Sequence, residues 1–78
     1  MDQEQALRWI AEVFEQEPGR LSSSTPRSEV ATWDSLGVLT LMAALHEHFG
    51  IVMTTDQLTG MKTVGDILEV LQSNGKLA

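Results

Sequence analysis

The chain has 78 residues, eleven Asp and Glu against five Lys and Arg, a formal net charge of −6, and no cysteine. This length supports one core in one domain over residues 1–78, and an ordinary catalytic pocket would consume much of that core. Nucleic acid is disfavoured as a partner, because phosphate contacts need clustered cations and Arg8, Arg20, Arg27, Lys62 and Lys76 are scattered; the missing cysteine removes disulfides and thiolate metal sites, so any thiol chemistry has to arrive on an attached group.

The opening Met1-Asp2-Gln3-Glu4 is acidic and leads into an amphipathic segment, unlike a signal peptide. No apolar run approaches a membrane span. A cytoplasmic monomer without membrane contact is the expectation. Acid leans towards this end of the chain, at Asp2, Glu4, Glu12, Glu15 and Glu17; it either keeps the protein soluble or steers a basic partner.

Residues 3–16 read as the first helix, with Ala6, Leu7, Ile10, Val13 and Phe14 on one side and Trp9 at the edge of the stripe as a packing residue. Asp2 and Gln5 suit a weak capping box, and Pro18-Gly19 is the expected stop. Residues 18–33 have little periodicity and include the breaker cluster Ser22-Ser23-Ser24-Thr25-Pro26. So long a connection in so small a domain is either functional or packed down by its own side chains. Leu21, Val30 and Trp33 are the expected anchors, with a short helical turn around Ser28–Ala31.

Residues 35–49 form the strongest predicted helix, capped by Asp34 and stopped by Gly50, with Val38, Leu41, Met42, Leu45 and Phe49 as its core face. A short apolar connection over 51–54 leads to a brief turn, capped by Thr55 or Asp56, that runs through Leu58 and ends at Gly60. Thr63 with Asp66 forms a capping box for the last helix, whose core face is Val64, Ile67, Leu68 and Leu71; Asn74-Gly75 closes it. The fold class is all-α: three main helices, one short helix and a long first loop.

The central helix carries a second apolar stripe. Successive residues turn by about 100°, so Leu36, Leu39 and Ala43 occupy an arc separate from the core face, with Ser35 between the two and Thr40 and Glu47 at the outer edge. A helix packed on one side has no use for such a stripe; either a partner meets it or the long loop covers it. The helix start also suits an anion, since its first N–H groups are unpaired and its dipole is positive there. Read from the residues alone, Ser35 is first of all a simple contributor to the cap.

Trp33-Asp34-Ser35-Leu36-Gly37 resembles the attachment motif of acyl carrier proteins, with its Asp-Ser-Leu core. The resemblance extends along the chain in order and spacing, through Leu45-His46-Glu47-His48-Phe49-Gly50-Ile51 at the end of the second helix and Thr63-Val64-Gly65-Asp66-Ile67 at the start of the last. It implies a carrier that catalyses nothing itself. Ser35 is then the residue that takes phosphopantetheine from coenzyme A, and Asp34 helps a phosphopantetheinyl transferase recognise the site. The arm holds an acyl or aminoacyl group as a thioester, charged by a loading enzyme and used by downstream acyl-transfer enzymes. Leu36, Leu39 and Ala43, edged by Glu47, fall where family members meet their partners.

Carriers of fatty acid synthesis usually place several acids along this helix, where the present chain has Gly37, Thr40, His46 and His48 and keeps only Glu47. That departure, with Trp33 and Gly37 flanking the motif, implies a stand-alone carrier of a specialised pathway: polyketide, nonribosomal or sugar-modifying. Two rival readings stay open on the residues: a helical adaptor without a prosthetic group, using the same strip, and a metal enzyme built on His46 and His48. The latter lacks the i, i+4 spacing of a zinc helix.

Overall fold

The computed structural model describes residues 1–77. Asp2 and Gln5 form the complete capping box, each side chain accepting from the other's backbone N–H, and launch α1 over Gln3–Val13. A 3₁₀ turn at Arg27–Glu29 interrupts the first loop; α2 spans Ser35–Phe49, α3 Thr55–Thr59 and α4 Val64–Ser73. The described residues contain no strand, only an isolated antiparallel bridge between Pro26 and Thr63.

The all-helical reading holds, with four local corrections. First, α1 stops at Val13 rather than continuing to residue 16. Glu15 adopts φ 55°, the Gln16 N–H donates to the Ala11 carbonyl (2.8 Å) and the Glu15 N–H to Glu12 (3.2 Å). This is the left-handed helix stop that usually uses glycine, and it ends the helix before Pro18 is reached. The Phe14 carbonyl is then taken by the Thr32 hydroxyl and the Gln16 side chain. Second, the short turn in the loop lies at Arg27–Glu29 rather than around Ser28–Ala31. Third, Thr54, not Thr55 or Asp56, caps α3: its hydroxyl accepts from the Gln57 N–H (3.2 Å) while Gln57 reaches back to the Thr54 N–H (2.9 Å). Fourth, Leu7, Val13, Met42 and Phe49 pack at the margin of the core and are only half-buried.

The centre comprises Ala6, Ile10 and Phe14 from α1, Val38, Leu41 and Leu45 from α2, Leu58 from α3, and Val64, Ile67 and Leu71 from α4. The loop anchors are Leu21, Val30 and Trp33, all buried. Trp33 stacks on Phe14 with ring centroids 5.0 Å apart, and Trp9 packs edge-on against Phe49 at 4.9 Å.

The long loop is tied to α4. The Val64 and Gly65 N–H groups, open at the start of that helix, donate to the carbonyls of Thr25 (2.9 Å) and Ser23 (2.8 Å), and the Arg27 N–H donates to the Lys62 carbonyl (2.8 Å). At its other end the loop lies on α2, where a Cβ on Gly37 would fall 2.1 Å from the Thr32 carbonyl oxygen. Alanine in a helix interior is ordinarily better than glycine by about 1 kcal/mol, but here the methyl has no space. Gly37→Ala is expected to destabilise the protein by about 1–3 kcal/mol, read as a lower urea midpoint at unchanged slope. An unchanged or higher midpoint would mean that the loop yields to the methyl.

Candidate functional site

Asp34 sits just ahead of α2 in an extended conformation (φ −105°, ψ −162°), and its Oδ1 accepts from the Gly37 N–H at 3.0 Å. Asp34 therefore does the capping. Ser35, the first residue of the helix, is exposed. Its hydroxyl stands in the first turn, where the helix dipole is positive and a covalently held phosphate is favoured. Trp33, buried beneath the loop end, fixes the chain on the other side of this pair.

The second apolar stripe is uncovered. Leu36 is 71% exposed and Leu39 48%, and Ala43 and Glu47 are also exposed. The long loop passes over the Gly37 side of α2 instead, so it does not shield them. The Thr40 hydroxyl, beside the stripe, donates to the Leu36 carbonyl at 2.9 Å and is satisfied within the helix. Ser35, Leu36, Leu39, Ala43 and Glu47 thus share the solvent-facing part of one helix, with Asp34 at its head.

One residue of this surface was not singled out in the sequence. Val52, in the connection after α2, is 81% exposed, and it lines a groove of about 250 Å³ with Met42, Ala43, His46, Ile51 and Met53. The available signal was alternation: along Ile51-Val52-Met53 the first side chain is buried, the second exposed and the third half-buried, as an extended segment requires. Val52 lengthens the apolar strip beyond Ala43.

His46 and His48 do not converge. His46 lines the Val52 groove, whereas the His48 ring lies 5.7 Å from Trp9 and 5.3 Å from Phe49. Their separation around the helix matches the i, i+2 spacing.

The donor set fits phosphopantetheine. It offers an exposed hydroxyl on the first turn of a helix, a capping carboxylate supplied by the preceding residue, and open solvent above both.

The model of the phosphopantetheine attachment site family matches residues 5–71. Among solved structures, a solution structure of holo acyl carrier protein from Geobacter metallireducens is similar, at 28% identity and a TM-score of 0.74, covering 95% of this chain and 86% of that one. The comparison with curated proteins gave no match.

The cap makes a measurable claim. Asp34→Ala removes the acceptor for the Gly37 N–H and is expected to cost about 1 kcal/mol of stability, while Asp34→Asn retains an acceptor and should lose only a fraction of that. Urea unfolding of the two variants checks it; equal losses would show that the bond at Gly37 contributes little.

Proposed function

The chain belongs to the phosphopantetheine attachment family of acyl carrier proteins, which carry rather than catalyse, and from that premise we propose that Ser35 is its attachment residue and that the face from Leu36 to Glu47 is where partner enzymes dock. The observation that carries this reading is the division of labour at the start of α2: Asp34 closes the helix, and the adjacent Ser35 hydroxyl faces solvent beside exposed Leu36. Phosphopantetheine, covalently bound, supplies a thiol on which an acyl cargo is held as a thioester.

The residues around Ser35 have distinct parts in this reading. Asp34 orients the first turn through Gly37 and gives a transferase a carboxylate to recognise beside the hydroxyl. Leu36, Leu39 and Ala43 present a narrow apolar contact that a loading enzyme or an acyl-transfer enzyme can grip and release, with Glu47 as a polar edge. Weak binding suits a carrier that visits several partners in turn. Val52 extends the same contact past the end of α2.

The paucity of acid along α2 supports a specialised pathway, of the polyketide, nonribosomal or sugar-modifying kind. Where fatty acid carriers offer carboxylates to basic enzyme patches, this helix offers Gly37, which is buried, and exposed Thr40, His46 and His48. Partners matched to it would rely less on charge steering and more on apolar fit, so their docking should depend weakly on salt.

Incubation with coenzyme A and a broad-specificity transferase should raise the intact mass by one phosphopantetheine, and Ser35→Ala should abolish the gain. No gain with any transferase tried would return the strip to the role of a plain adaptor surface, and loading at another residue would overturn Ser35 as the attachment residue. The docking face is tested separately: Leu39→Asp should lower kcat/KM for that loading by about tenfold, the equivalent of roughly 1.4 kcal/mol, at a nearly unchanged urea midpoint. Unimpaired loading of Leu39→Asp would remove Leu39 from the transferase contact.

A further inference from the structure

A second groove, of about 520 Å³, opens between the end of the first loop and the connection from α3 to α4; Pro26, Arg27, Val30, Trp33, Met61 and Lys62 line it. Three observations distinguish it. The first is charge: in a chain of net charge −6, Arg8 and Arg20 are taken up in exposed pairs with Glu4 and Glu17, whereas Arg27 and Lys62 face this groove together. Arg27 is also held in place. Its Nε donates to the Trp33 carbonyl and its Nη1 to the Thr59 carbonyl, both at 3.0 Å, and its guanidinium carbon lies 5.7 Å from the centre of the Trp33 ring. These bonds leave further donors of the guanidinium fork for an anion.

The second is an orphan donor. Trp33 is 3% exposed, and its indole Nε1–H has no acceptor among the described residues. Buried indole N–H groups are normally paired; this one is closed off from solvent, so an occupant's carbonyl reaches it only if the Trp33 ring shifts. The third is position. Trp33 precedes Ser35 by two residues, which places their Cα atoms within about 7 Å of each other.

We propose that this groove is the resting site of the phosphopantetheine arm, an inference that rests on Ser35 as its attachment residue. The arm begins with a phosphodiester and continues as an aliphatic, amide-bearing chain. Arg27 and Lys62 match the anionic end and Val30 and Met61 the aliphatic part, and a shift of the Trp33 ring would offer its indole N–H to an amide carbonyl. The groove beside Val52 is a poorer match. Its nearest lining residue on α2, Met42, is seven residues along the helix from Ser35, about 10 Å at 1.5 Å per residue, and neither Lys nor Arg lines it.

The test uses isotope-labelled protein loaded from unlabelled coenzyme A by a broad-specificity transferase, with intact mass confirming one arm. Isotope-filtered NOEs should connect the geminal methyls of the arm to the Met61 methyl, the Val30 methyls and the Trp33 indole. The indole N–H resonance of Trp33 should move on loading while that of Trp9, packed on Phe49, stays in place. Lys62→Gln, an exposed substitution that leaves the fold intact, should weaken these cross-peaks at full loading, and Arg27→Lys should do the same. A fully loaded protein whose arm shows NOEs only to Leu36, Leu39 or the Val52 groove, or none, would overturn the resting site while leaving Ser35 as the attachment residue. Failure to load overturns both.

Discussion

Two backbone N–H groups in the first turn of α4, those of Val64 and Gly65, close on the carbonyls of Thr25 and Ser23, and that closure sets the path of the long first loop. A helix start leaves its first donors open, and burying them without partners is costly. Here the partners come from a loop with almost no regular structure of its own. The loop needs donors for its carbonyls and α4 needs acceptors, so each resolves the other's deficit. The tie at Arg27–Lys62 adds a third bond and aligns the bridge at Pro26 and Thr63. The tie also explains Gly65, where a Cβ would lie 2.6 Å from the Ser23 carbonyl oxygen.

Once its first half is tied to α4, the loop delivers Trp33 into the core against Phe14 and brings the Thr32 carbonyl onto Gly37. The start of α2 is thereby held from below while its upper side stays open. Rigidity at Trp33 and Gly37 and exposure at Ser35 and Leu36 are two sides of one arrangement: two exposed side chains sit on a turn whose backbone is held by packing. The early stop of α1 belongs to the same arrangement, because the Phe14 carbonyl freed there is the acceptor for the Thr32 hydroxyl.

Much of this was legible in the residues. Hydrophobic spacing located α2 and α4, since a core face at helical period leaves few alternatives, and the Gly50 and Gly75 stops both have positive φ. Asp34 was readable as a cap because a carboxylate ahead of an apolar helix has a specific acceptor role. The second stripe on α2 was legible as an excess of apolar residues, though not whether the loop covered it. The end of α1 was misplaced because Glu15 occupies a conformation usually left to glycine, and no local pattern announces that choice. Thr54 was passed over as the α3 cap because three neighbouring residues, Thr54, Thr55 and Asp56, have nearly equal capping chemistry, and only the chain path selects among them.

Residue pattern alone specified the class of the fold, the register of the main helices, the family through the Asp34-Ser35-Leu36 motif in its spacing, and the second apolar stripe on α2. These follow from periodicity, caps and residue chemistry, all of which act over a few neighbouring positions. Tertiary packing settled that Leu36, Leu39 and Val52 remain in solvent, that His46 and His48 part company, and that Arg27, Trp33 and Lys62 meet in one groove. Those outcomes depend on where a loop without regular structure comes to rest. Its path is set by distant backbone partners at Lys62, Val64 and Gly65, which no local reading of residues 18–33 contains.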